Sequence, residues 1–139
     1  MIITKTPYRI SFFGGGTDYP SWYKKNGGAV LSTTIDKFLY ISCRFSPKYF
    51  KKKYRIVWRK IENVQRVNQI NHKAVRELLK YLKIKPGLEI HYYGDLPARS
   101  GMGSSSCFTV GLMQSLYRIK KINLNKLDLA KKSIYFEQN

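Results

Sequence analysis

Pro97-Ala98-Arg99-Ser100-Gly101-Met102-Gly103-Ser104-Ser105-Ser106 is the stretch that decides the reading of this 139-residue chain. Its glycines permit positive φ and let the backbone approach a ligand, and three hydroxyls follow at the expected start of a helix. Exposed N–H groups and the positive end of the helix dipole attract the oxygens of a polyphosphate, and a serine hydroxyl can bind an accompanying Mg²⁺. An ordinary Gly/Ser loop ending in a serine N-cap uses the same residue types. The pattern is neither a Walker loop, which needs Gly-Lys-Ser/Thr, nor a dinucleotide fingerprint, which needs a third glycine where Ser106 stands.

Working outward, Leu88, Ile90 and Tyr92 alternate with Glu89, His91 and Tyr93 as a strand leading into this loop at Gly94. Beyond it, Phe108, Leu112, Leu116 and Ile119 share one face of a helix over 104–120. Residues 2–13 alternate as a strand, with Tyr8, Ile10 and Phe12 on one face and Arg9, Ser11 and Phe13 on the other, ended by Gly14-Gly15-Gly16. Further strands are expected at 37–45, after the turn signal Gly27-Gly28, and from Tyr54 to Trp58. Val75, Leu78, Leu79 and Leu82 take helical spacing over 72–83, with Asn71 placed to cap and Pro86-Gly87 to close. A last helix over 125–138 opens with Asn125 and Asp128 in a capping arrangement and carries Leu127, Ala130 and Ile134 as its apolar stripe. No stop signal follows, so this element is expected to continue. The fold class is α+β: a mixed or largely antiparallel sheet packed on helices, the one after the phosphate loop being central.

Read as a whole, Pro-x3-Gly-hydrophobic-Gly-Ser-Ser-small resembles the second, ATP-binding motif of the GHMP kinases over Pro97 to Ser106. The first motif is matched by Pro7-Tyr8-Arg9-Ile10-Ser11-Phe12-Phe13-Gly14-Gly15-Gly16-Thr17-Asp18-Tyr19. Its Gly-Gly-Gly-Thr-Asp-Tyr form is similar to the heptose 7-phosphate kinase branch, whereas galactokinases prefer Gly-Glu-His-Thr-Asp-Tyr. The resemblance spans essentially the whole chain. It implies the GHMP N-terminal fold, similar to a domain of ribosomal protein S5, and an ATP-dependent sugar kinase making the 1,7-bisphosphate of D-glycero-D-manno-heptose, with another GHMP sugar kinase of different acceptor as the alternative the first motif leaves open. It places Arg9 beside the transferred phosphoryl group and Asp18, with Gly15, Gly16 and Thr17, at the sugar. Pro97, Arg99, Ser100, Gly101, Met102, Gly103, Ser104, Ser105 and Ser106 would bind ATP, and Ser105 and Glu137 would complete the Mg²⁺ site. Glu137 also reads as a solvated helix carboxylate. The family's catalytic aspartate, third motif and C-terminal half have no counterpart, so residues 1–139 are expected to be an N-terminal ATP-binding domain with little activity alone. Apolar surface meant for that half would be exposed and favour self-association.

Composition narrows the partners. Lys and Arg total 26 against 8 Asp and Glu, a formal charge of +18. Eight basic residues and no acidic one fall between Arg44 and Lys60. A solvated face, steering of an anionic substrate and nucleic-acid binding all fit this run, the last helped by the interleaved Tyr49, Tyr54 and Trp58 but disfavoured because alternate strand aromatics are usually core. Cys43 and Cys107 lie in apolar stretches without metal-site spacing and read as buried, reduced thiols. No run approaches membrane-spanning length, and Lys5 and Arg9 interrupt the early apolar segment, so a cytoplasmic protein without a membrane partner is expected.

Overall fold

The computed structural model describes residues 1–98 and 100–138. Five strands, β1 (Ile2–Phe13), β2 (Leu31–Phe45), β3 (Tyr54–Val57), β4 (Ile61–Val64) and β5 (Leu88–Gly94), form one sheet in the order β1-β2-β5-β3-β4. All neighbours are antiparallel except β3 and β5, which run parallel, so the sheet is mixed as expected. Among the described residues four α-helices accompany it: α1 (Pro20–Asn26), α2 (Lys73–Tyr81), α3 (Ser104–Ile119) and α4 (Lys126–Gln138).

One face of the sheet makes the core. Leu39, Ile41 and Cys43 of β2, Tyr54 and Ile56 of β3, and Leu88 and Ile90 of β5 alternate inward and are buried. They meet Val75, Leu78 and Leu79 of α2 and Cys107, Phe108, Leu112, Met113 and Leu116 of α3 in a single cluster. Helix α3 is central because it buries most of its circumference. Gly111 makes that possible, since a Cβ there would stand 2.9 Å from the Thr6 hydroxyl. The Thr4 hydroxyl donates to the Gly111 carbonyl at 3.1 Å, which ties the helix to β1 at this closest approach. Both cysteines are free and buried, and burial pushes the Cys43 thiol up to about 12.

Several local expectations change. Tyr8 is buried but Phe12 is exposed, because register shifts between Pro7 and Arg9 and between Ser11 and Phe13 break the alternation of β1. Strand β2 begins at Leu31 rather than 37, since β1 pairs as far as Phe13 and draws the polar Ser32-Thr33-Thr34 into the ladder. His72, not Asn71, caps α2: its Nδ1 accepts from the Val75 N–H at 3.4 Å. Both N–H groups before the helix, of Asn71 and His72, already donate to the Glu62 carboxylate. The helix ends before Pro86-Gly87, where Lys83 takes φ 52 and the Ile84 N–H returns to the Leu79 carbonyl. On α4 the expected Leu127, Ala130 and Ile134 stripe is exposed. Leu129, Ser133 and Phe136, equally helical in spacing, pack inward instead, Ser133 bonding the Met113 sulfur at 3.6 Å. The Asn125 cap is present, with its side-chain oxygen accepting from the Asp128 N–H at 2.8 Å.

Two measurements check this frame. Gly14 has φ +80, and an added Cβ would fall 1.8 Å from the Ala29 carbonyl oxygen, whereas Gly16 has open space. In urea unfolding, Gly14→Ala is expected to lose more than about 2 kcal/mol and Gly16→Ala to stay within about 0.5 kcal/mol. Burial holds the His72 imidazole below its ordinary 6.5, while the Glu62 charge acts in the opposite sense. The unfolded chain therefore takes up this proton first, and the His72 contribution to stability falls as pH drops below 6.5 until the folded-state imidazole also titrates. Urea midpoints between pH 7.5 and 5 should show this slope in the parent and its reduction in His72→Asn, which keeps a capping side chain.

Candidate functional site

The predicted phosphate loop joins β5 to α3. Gly101 and Gly103 adopt φ +75 and +69, conformations that side chains resist. Around Gly101 nothing would touch an added Cβ, so conformation alone calls for glycine there. Gly103 is the N-cap of α3 and brings no side chain to it. The first helical bond runs from the Cys107 N–H to the Gly103 carbonyl at 2.9 Å, which leaves the N–H groups of Ser104, Ser105 and Ser106 ahead of the helical ladder. Ser105 is exposed and Ser104 and Ser106 are half-buried. Pro97 is exposed at the loop's start, and the Ser100 hydroxyl is buried without a hydrogen-bond partner among the described residues. Arg99, predicted to bind nucleotide, lies outside the described residues.

Strand β1 brings the other predicted motif onto this loop. The Arg9 N–H donates to the Met102 carbonyl at 3.2 Å. The Arg9 side chain lies along Gly103, with Nη2 and Nε at 3.5 and 3.6 Å from where a Cβ would stand, and it also bonds the Ser11 hydroxyl. The neighbours of Arg9 add to the tether. Cys107 Sγ donates to the Pro7 carbonyl at 3.0 Å and the Tyr8 hydroxyl to the Leu96 carbonyl at 3.3 Å.

Past β1, Gly15, Gly16, Thr17 and Asp18 form one 3-10 turn. The Thr17 hydroxyl donates to the Gly14 carbonyl at 2.8 Å and lies 3.1 Å from the Ala29 carbonyl, and it accepts from the Ala29 N–H at 3.2 Å. It thus pins the turn to the chain entering β2. Asp18 is exposed and lines a cavity of about 400 Å³ with Thr17, Tyr23, Gly28, Ala29 and Val30. Ser105 and Glu137 share a different and larger cavity, about 830 Å³, with Lys73, Glu77, Lys80 and Phe136. The Glu137 carboxylate accepts from the Ser106 hydroxyl at 3.0 Å, so the helix carboxylate does reach the serine run, at Ser106 rather than Ser105.

Sequence reasoning missed a third cavity, about 240 Å³, which Ser104 and Ser105 line together with Tyr8, His72, Tyr92 and Phe108. His72 stacks on Phe108 with centroids 4.8 Å apart, and Tyr92 meets both rings edge-on. Burial raises the Tyr8 and Tyr92 hydroxyls and lowers His72, so the walls are uncharged near neutral pH. Such walls suit a flat, neutral heterocycle. The only signal in the sequence was His72 itself, one residue ahead of the apolar helical run. The basic stretch 44–60 is in part internally engaged, since Arg44 and Arg55 both pair with Glu89. Among the described residues no helix is long and apolar enough to cross a membrane.

Comparison with known proteins gives the family and the fold. The chain is 29% identical to D-glycero-alpha-D-manno-heptose 7-phosphate kinase of Campylobacter jejuni, covering 99% of this chain and 43% of that protein. It is also 29% identical to a galactokinase of Streptococcus thermophilus, covering 91% of this chain and 34% of that one. It therefore spans less than half the length of these relatives. The fold matches a D-glycero-D-manno-heptose 1-phosphate kinase from Bacteriodes thetaiotaomicron with a TM-score of 0.81 at 18% identity, covering 100% of this chain and 48% of that structure. It matches the Methanococcus jannaschii mevalonate kinase at 0.72 and 21%, covering 99% and 46%. Residues 68–139 match the family model of the GHMP kinases N terminal domain, and the chain belongs to that family.

Proposed function

We propose that the chain is the ATP-binding part of a cytoplasmic sugar kinase that phosphorylates D-glycero-D-manno-heptose 7-phosphate at its anomeric hydroxyl. The observation that carries this reading is the contact between the two motifs, with Arg9 laid along Gly103 and its backbone bonded to Met102. In the assignment, the open N–H groups of Ser104, Ser105 and Ser106 receive the β- and γ-phosphates. The aromatic cavity beside Ser104 receives the base. The acceptor oxygen forms a bond to the γ-phosphorus as the bond to the bridging oxygen of ADP breaks, and Arg9 stabilises the charge gathered on the transferred group. The Ser105 hydroxyl and Glu137 would hold Mg²⁺, which would supply positive charge beside the transferred phosphoryl group. The orphaned Ser100 hydroxyl and the scarcity of packing around Gly15, Gly16 and Gly101 fit a loop and turn that close on a ligand. The sugar is assigned to the cavity that Asp18 lines, where the carboxylate accepts from hydroxyls. Galactokinase relatives at equal identity support the coarser reading of a sugar kinase with another acceptor.

No described carboxylate is assigned as the base that takes the acceptor proton, so residues 1–139 alone are expected to bind nucleotide without turning over. By calorimetry, Ser105→Ala should weaken MgATP binding about ten- to a hundredfold, in line with the ~1.5–3 kcal/mol of a hydrogen bond to a charged group. A coupled assay of ADP release with heptose 7-phosphate should stay at background, and turnover at the median of characterised enzymes, ~10 s⁻¹, would overturn that expectation. Binding of galactose in preference to heptose 7-phosphate would move the acceptor assignment. Phe12, Phe13, Tyr19, Trp22 and Leu31 are exposed in neighbouring segments, and light scattering is expected to show self-association, reduced by Phe13→Ser.

A further inference from the structure

Glu62 belongs to neither motif, yet it is only 7% exposed and it joins three parts of the fold. From β4 its Oε2 accepts the Asn71 N–H at 2.5 Å, and its Oε1 accepts the His72 N–H at 3.2 Å and the Trp58 indole N–H at 2.9 Å. A carboxylate can only accept, and all three donors here are N–H groups. No Lys or Arg among the described residues pairs with it. Its charge also sits at the N-terminus of α2, the favourable end of that helix dipole.

The groups Glu62 holds form one end of the aromatic array. Trp58 meets the His72 ring edge-on, with centroids 4.9 Å apart. His72 in turn stacks on Phe108, and His72, Phe108 and Tyr92 line the cavity next to Ser104 and Ser105. Glu62 does not line that cavity, so any effect it has there passes through Trp58 and His72. The phosphate loop is held by bonds that do not involve Glu62, those of Pro7, Tyr8 and Arg9, although Tyr8 also lines the cavity.

We infer that Glu62 is a positioning residue for nucleotide binding: it fixes the aromatic wall that receives the base and leaves the triphosphate cradle untouched. The inference rests on the nucleotide reading above. Glu62→Gln keeps the shape and one acceptor oxygen, but whichever way its amide turns, an NH₂ donor faces an N–H, that of Asn71 or those of His72 and Trp58, which loosens the entry to α2 that carries the wall.

The two halves of the ligand separate the effects. Calorimetric titrations of the chain with MgATP and with Mg²⁺-tripolyphosphate, which has no base, should show ATP binding weakened about tenfold in Glu62→Gln and tripolyphosphate binding unchanged within about twofold. Trp58→Phe keeps an aromatic ring and removes one donor, and it should show a smaller loss confined to ATP. This second variant decides the matter if circular dichroism finds Glu62→Gln unfolded. Equal weakening of both ligands would overturn the inference, because Glu62 would then act only through general stability. Parental ATP affinity in the folded variants would overturn it as well. If the parent itself binds ATP no better than tripolyphosphate, the base pocket is wrong and the nucleotide reading fails with it.

Discussion

Three consecutive residues of β1 hold the backbone around the phosphate loop, and the candidate site depends on that tether. Pro7 accepts from Cys107 in the first turn of α3, Tyr8 reaches Leu96 at the loop's start, and Arg9 donates to Met102 near its end. The register shift between Pro7 and Arg9 matters here, because an unbroken strand gives adjacent residues to opposite faces. With the shift, a buried Tyr8 and a loop-facing Arg9 both serve one site. A glycine-rich loop is costly to order, since glycine loses more conformational freedom than any other residue. Fixing its two ends and the helix that follows to a strand of the sheet reduces the cost left for a ligand to meet.

Much of the fold was legible because its long elements carry unambiguous periods. Helix α3, β1 and β5 were placed within a residue or two from alternation and helical spacing. What stayed hidden was short or polar. Helix α1 has seven residues and begins at Pro20, β4 has four, and the first part of β2 is Ser- and Thr-rich. None of these has enough apolar positions to display a period. Helix α4 failed differently, because two stripes with the same spacing were available. The packed one contains Ser133, whose hydroxyl meets a sulfur, and the Glu137 contact to Ser106 belongs to that orientation.

The candidate site divides along the same line. The two motifs were readable as local patterns of glycine, hydroxyl and charge, and the fold brings Arg9 to Gly103 and Glu137 to Ser106. The aromatic cavity was not readable, because its walls come from β1, β5, α3 and the start of α2. Glu62 was invisible for a related reason. Two of its three donors are backbone N–H groups nine and ten residues further along, and backbone donors leave no mark on residue type. The same bonds hold the entry to α2, where His72 rather than Asn71 is the cap. One buried carboxylate thus meets both the entry to α2 and the indole beside a cavity wall.

The claim on which the functional account turns is that the amides at the start of α3 receive a triphosphate. Backbone ¹⁵N–¹H spectra of the labelled chain, titrated with MgATP, test it most directly. The account predicts that the largest shifts fall on Gly101 to Ser106, together with the Arg9 amide that bonds Met102. Shifts confined to the basic stretch from Arg44 to Lys60, with the loop amides unmoved at saturation, would contradict it.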